Sequence, residues 1–187
     1  MGDRNKVIAW FREIGFKPRV DDFQDRLVAQ KIVFLLELKK LHAGFKYNLH
    51  VRGPYSPELA HELFSHKREF ESLNTSAELS ASEKEKVDEF KELFGTNASL
   101  LEAASTYAYF VSLEGSSPID AIGKVKGLKP FISEANIAVG ISKVKQFLYP
   151  PSEEEIKGMK VEFSDWERAA AYDLEKILDE KGRTVAN

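Results

Sequence analysis

Side chains that can carry positive charge recur at alternate positions of one short segment. Lys46, His50 and Arg52 alternate with apolar residues, and a period of two places alternate side chains on opposite faces of a β-strand. No acidic residue occurs at positions 38–57, so no neighbour in sequence neutralises this charge. Basic side chains bind phosphate and carboxylate groups. The pattern predicts a partner-binding surface made of Lys46, His50, Arg52 and the aromatic turn residue Tyr55.

A second basic cluster lies late in the chain. Its members are Lys124, Lys126, Lys129, Lys143 and Lys145. Glu134 is the only acidic residue at positions 121–149. If either cluster neutralises about four phosphates, a plot of the logarithm of nucleic-acid affinity against the logarithm of salt concentration should have a slope of about −3.6. Nucleic acid is therefore one candidate partner, and an acidic protein is another. A simple solvated surface is the remaining interpretation.

The histidines and glycines do not form a familiar catalytic motif. A helical zinc site needs two histidines four residues apart, whereas His61 and His66 are five apart and point about 140° away from each other. The chain has no cysteine, which excludes disulfides, iron–sulfur clusters and thiolate ligands. It also lacks glycine-rich nucleotide-binding loops and the Gly-x-Ser-x-Gly motif of hydrolases. We therefore expect no catalytic residues, no metal and no cofactor.

Composition indicates an ordinary globular protein. The 187 residues are 43% hydrophobic and 30% charged, with a formal net charge of −3, which excludes disorder driven by low hydrophobicity and a strongly basic coat protein. The longest uncharged stretch is eleven residues, 103–113, and about 18 are needed to span a bilayer. Asp3 and Glu13 lie where a signal peptide is apolar. We expect a cytoplasmic protein that makes no membrane contact.

Most of the chain has the periodicity of helices. A first helix is predicted by the apolar stripe of Val7, Trp10, Phe11 and Ile14, and residues 22–41 form a broadly apolar helix that should run through the centre. Further helices should begin at serine N-caps, several of them followed by glutamate at the third position. These N-caps are Ser56, Ser82, Ser117, Ser133, Ser152 and Ser164.

The basic segment should be the strand that these helices support. Residues 45–52 alternate strictly, and a strand needs a hydrogen-bonding partner, for which we predict residues 69–73. Pro54 should stop the strand, and Pro57 suits the first position of the next helix. The predicted fold is mainly α with a small β element.

Pro150 and Pro151 mark the predicted domain boundary, because two prolines stop a helix. Residues 1–151 should form the main domain. Residues 152–187 contain ten acidic and six basic side chains and should form an acidic helical extension. The apolar stripe of Phe163, Trp166 and Leu174 on this extension predicts packing on the main domain, or docking on a partner or a second copy in a homodimer.

Three segments in this order resemble a known family. They are the helix at residues 26–32, the Gly-Pro-Tyr-Ser turn within residues 52–59, and the Lys-Gly-Leu-Lys-Pro-Phe-Ile-Ser segment at residues 126–133. Together they resemble the YwgA-like family of uncharacterised prokaryotic proteins and, more distantly, the SocA/Panacea antitoxin domain. The resemblance implies a helix-rich, winged-helix-like domain. It supplies no catalytic or binding residue.

We expect a non-catalytic binding or regulatory module that engages a protein or nucleic-acid partner through its basic strand and turn. One alternative is an antitoxin-like or regulatory subunit that neutralises a partner protein in a mobile-element or defence locus. The other is an enzyme of unrecognised type with carboxylates or histidines in a cleft.

Overall fold

A computed structural model describes residues 2–151 and 154–157 of the chain. The described residues contain one antiparallel sheet, of strands β1 (Asn48–His50) and β2 (Gly53–Tyr55). They also contain eight helices: α1 (Arg4–Ile14), α2 (Phe23–Leu38), α3 (Pro57–Ser65), α4 (Lys67–Ser72), α5 (Ala81–Phe94), α6 (Ala98–Ser112), α7 (Pro118–Leu128) and α8 (Glu134–Leu148). The prediction of a mainly α fold with a small β element is confirmed.

The chain divides into two compact units, Met1–Tyr149 and Pro150–Asn187. All of the helices and both strands named above belong to the first unit. In the second unit, residues 154–157 form one exposed helical turn. The helix starts predicted at Ser152 and Ser164, and the apolar stripe that begins at Phe163, lie outside the described residues.

Two apolar helices occupy the centre of the first unit. α6 packs against α2, α7, α8 and strand β2, and α2 is buried along most of its length, from Leu27 to Leu36. The prediction that α2 is a central helix is confirmed, and α6 shares that position. The long apolar surfaces of both helices require this arrangement, since one neighbour alone would leave apolar area in water.

Serine N-caps define where several helices begin. Ser56, Ser117 and Ser133 each accept a backbone hydrogen bond in the first turn of the following helix, as predicted. The predicted start at Ser82 is wrong, because Ser80 and Glu83 form the capping box of α5 instead. The sequence contains this spacing twice, two residues apart, and the structure uses the earlier one.

The extent and the pairing predicted for the strand are both wrong, because β1 covers only Asn48–His50 of residues 45–52. β1 pairs with β2 in the register Asn48↔Tyr55, Leu49↔Pro54 and His50↔Gly53, and residues 69–72 belong to helix α4. A two-residue turn brings β2 back onto β1, so only a short loop has to close. Pro54 fits β2 because a two-stranded sheet has only edge strands.

Candidate functional site

Two neighbouring residues of α2 hold β2 against the helices. The Gln30 side chain donates to the Ser56 carbonyl oxygen at 3.0 Å and accepts from the Ser56 N–H at 2.9 Å. Lys31 Nζ donates to the Pro54 carbonyl oxygen at 2.6 Å. Both side chains are almost fully buried. The hairpin is thus fixed to the helical core by side chains as well as by its own backbone pairing.

A buried ion pair also fixes the turn of the hairpin. Lys129 Nζ lies 2.7 Å from Glu102 Oε1 and donates to the Val51 carbonyl oxygen at 2.8 Å. Arg52 Nη1 lies 3.7 Å from the other oxygen of the Glu102 carboxylate. Glu102 comes from α6 and Lys129 follows α7, so residues distant in sequence meet beneath residues 51 and 52.

Positive charge exceeds negative charge in this cluster. Lys31, Arg52 and Lys129 surround the single carboxylate of Glu102. Burial lowers the pKa of Lys31, the positive charge of Lys129 adds to this effect and Glu102 opposes it, so that the pKa falls to about 7. Burial also lowers the pKa of Lys129, against the effect of its bond to Glu102. When Lys31 is protonated, one carboxylate faces three cations.

A cavity of about 430 Å³ lies between α2, α3 and the hairpin. Four of its lining side chains can carry positive charge, namely Arg26, Lys31, His50 and Arg52. No lining residue in the described part of the chain is acidic. The apolar part of the wall includes Phe23, Leu27, Val51, Leu63 and Phe64. The cavity therefore combines positive charge with an aromatic surface.

The structure brings three of the four predicted binding residues to this cavity. His50, Arg52 and Tyr55 line it, and the rings of His50 and Tyr55 lie 5.0 Å apart. Lys46 is exposed but precedes β1 and is not among the lining residues. Arg52 also lies over the ring of Phe131, 4.5 Å from its centroid, so its exposed side chain is held in place.

The sequence interpretation missed the buried half of the site. Lys31 lies between two apolar runs of α2, residues 27–29 and 32–36, and Glu102 immediately precedes the longest uncharged stretch of the chain. A charged residue within an apolar helix is seldom buried unless it has a partner. The sequence therefore indicated that Lys31 and Glu102 have buried partners, but it did not identify those partners.

The second basic cluster does not form one charged face. Lys129 is fully buried, while Lys124 and Lys126 make ion pairs with Glu114 and Glu134. Lys143 donates to the Leu93 carbonyl oxygen, and the Lys145 ammonium lies 5.6 Å from the centroid of the Tyr107 ring. Because of these contacts, the five lysines that lie close together in the sequence do not present their positive charge on one surface.

His61 of α3 and His66, which caps its C-terminus, do not converge on a metal-binding arrangement. The His66 ring lies 3.6 Å from Glu62 and 3.3 Å from Glu69, whereas His61 contacts Ser65. Among the described residues, no group of three histidine, aspartate or glutamate side chains is placed to hold a metal ion.

None of the helices within residues 2–151 and 154–157 is long and apolar enough to cross a bilayer. Comparison with family models, curated proteins and solved structures found no match. The similarity to the YwgA-like family and to the winged-helix fold thus stays a prediction.

Proposed function

We propose that this protein is a non-catalytic binding or regulatory module that engages an acidic protein partner. The contact surface is the basic hairpin surface, defined as Lys46, His50, Arg52 and Tyr55. The first three side chains are exposed and Tyr55 is half-buried. Since positive charge on this surface faces solvent, carboxylates of a partner are its natural complement.

One observation favours a protein over a nucleic acid: large apolar side chains are exposed beside the cations. Phe23 is 53% exposed, Val51 81% and Phe64 55%, and all three line the cavity that adjoins the hairpin. A phosphate backbone is recognised by cations and hydrogen-bond donors. Protein interfaces combine arginine with aromatic and aliphatic anchors, which is the combination present here.

The rigid support of the hairpin suits a binding role. Gln30, Lys31 and Lys129 hold its backbone from beneath through hydrogen bonds. A surface that is ordered before binding loses less conformational entropy when the partner docks. We place this module in the cytoplasm, because a chain without cysteine fits a reducing compartment.

Affinity capture from the native host, with and without nuclease treatment, tests this proposal. We expect one stoichiometric protein partner whose capture resists nuclease. The double variant Lys46→Glu and Arg52→Glu reverses two exposed charges and should reduce capture by about tenfold or more. The matched control is Lys126→Glu, a lysine about half exposed on α7, outside the basic hairpin surface.

Two results would contradict the proposal. Unchanged capture by the double variant, with its helix content intact by circular dichroism, would remove the basic hairpin surface from the interaction. Capture that disappears with nuclease would replace the protein partner with a nucleic acid.

A further inference from the structure

The cavity beneath the hairpin has two chemically different ends. Lys31 and Arg52 supply positive charge beside the turn. Phe23 and Phe64 supply aromatic surface, and the Arg26 guanidinium lies between them, 5.9 Å and 5.2 Å from the two ring centroids. A ligand that matches both ends has a negatively charged group joined to a flat apolar body.

The cationic end is short of negative charge. Glu102, the carboxylate in contact with Arg52, is already bonded to Lys129 at 2.7 Å. The Lys31 ammonium has three N–H donors, and the acceptor recorded for it among the described residues is the Pro54 carbonyl oxygen. Lys31 is 2% exposed, so bulk water does little to solvate its charge. An anion in the cavity would supply the missing partner.

We infer that the cavity binds a small amphipathic anion, with a carboxylate or phosphate against Arg52 and close to the buried ammonium of Lys31, and an apolar ring against Phe23 and Phe64. The volume of about 430 Å³ lies in the range of small-molecule sites. This site goes beyond the proposed function, because a small ligand binds without any protein partner, although Arg52 serves both sites.

Binding of such an anion should depend on pH through Lys31. The pKa of Lys31 is lowered to about 7 by burial and by Lys129, so its charge is lost as the pH rises above neutrality. The groups around it are Arg52 and Lys129, both cationic, and the Glu102 carboxylate. Because the ligand is attracted by the protonated amine, its affinity should fall between pH 7 and pH 9.

Titration calorimetry with four simple probes tests the ligand class. Phenyl phosphate and benzoate carry both features, inorganic phosphate lacks the ring, and phenol lacks the charge at neutral pH. We expect phenyl phosphate or benzoate to bind at least about tenfold more tightly than the two partial probes. Preference for one of them identifies phosphate or carboxylate as the anionic group. Equal binding of phenol, or no saturable binding of either full probe, would overturn the inference.

Matched variants then locate the binding site. Lys31→Met keeps much of the side-chain volume and removes the charge, and it should weaken probe binding by about tenfold or more and abolish its decline above pH 7. The pH series uses benzoate, whose own charge is constant over this range, in a His50→Gln background that removes the histidine of the lining. Undiminished affinity in Lys31→Met would refute the assignment.

Two further variants keep the test independent of folding and of the proposed function. Arg52→Gln changes an exposed turn residue and should weaken binding of the probe. This variant tests the site even if Lys31→Met fails to fold. Lys46→Glu, outside the cavity lining, should leave probe binding unchanged while it weakens capture of the protein partner. Loss of probe binding in Lys46→Glu, or its retention in Arg52→Gln, would contradict the placement of the ligand.

Discussion

At the scale of single residues, the buried pair of Glu102 and Lys129 determines whether the turn of the hairpin is held. Lys129 is fully buried and Glu102 is 4% exposed, so neither charge is solvated by bulk water. A buried ion pair gives little net stability over apolar residues, but removing one partner leaves an uncompensated charge. Here that charge would join two further cations, Lys31 and Arg52.

Glu102→Gln should therefore destabilise the protein strongly. We expect a loss of about 3–5 kcal/mol in the free energy of unfolding, measured by urea denaturation at pH 7. Glu134→Gln is the matched control, because Glu134 pairs with Lys126 on the surface, and it should cost less than about 1 kcal/mol. Equal effects of the two variants would show that the buried pair has no special role.

At the scale of elements, the hairpin depends on the backbone conformation of one glycine. Gly53 has φ +89°, a region that side chains disfavour, and it is buried. A Cβ atom added there would lie 2.6 Å from Thr106 Oγ1. Strand β2 can approach α6 this closely only because residue 53 has no side chain.

Gly53→Ala should disrupt the hairpin, whereas a glycine in an open helix should tolerate the same change. For Gly53→Ala we expect a loss of about 2 kcal/mol or more in the free energy of unfolding, from strain and overpacking. Gly127 lies in α7, where an added Cβ meets no atom within 4 Å. Gly127→Ala should therefore raise the free energy of unfolding by about 0.4–1 kcal/mol. Thermal unfolding measures both, and a stable Gly53→Ala protein would refute the packing described.

At the scale of the whole molecule, the buried Lys31 couples global stability to pH. The folded protein releases the Lys31 proton near pH 7, whereas an unfolded chain keeps it to about pH 10.4. Between these values the unfolded state binds more protons than the folded state. The free energy of unfolding should therefore rise with pH through this window because of Lys31.

Comparison of the native protein with Lys31→Met isolates this contribution. Between pH 7.5 and pH 9.5, the free energy of unfolding of the native protein should rise relative to that of the variant by about 1.4 kcal/mol per pH unit. Denaturant titrations at several pH values measure the difference in the free energy of unfolding between the two proteins. The contributions of most other titrating groups are the same in both and cancel in this difference. Parallel pH profiles would mean that Lys31 stays charged in the folded protein.

The sequence by itself determined most of the long helices and the exposure of the basic residues, but not the extent of the strand or its partner. Helical periodicity located α1 and α2, and serine caps located the starts of α3, α7 and α8. The period of two around Lys46, His50 and Arg52 predicted that these side chains face solvent, which they do. Such features depend on local backbone sterics and on the burial of apolar faces, which operate over a few neighbouring residues.

Only the tertiary structure decided how those elements meet. It paired residues 48–50 with 53–55 rather than with residues 69–73, and it placed Lys31, Glu102 and Lys129 around the hairpin. Partners separated by 27 or 78 residues are selected by the packing of whole helices, and no local pattern encodes that choice. The cavity arises from the same packing, because its walls come from α2, α3 and the hairpin together.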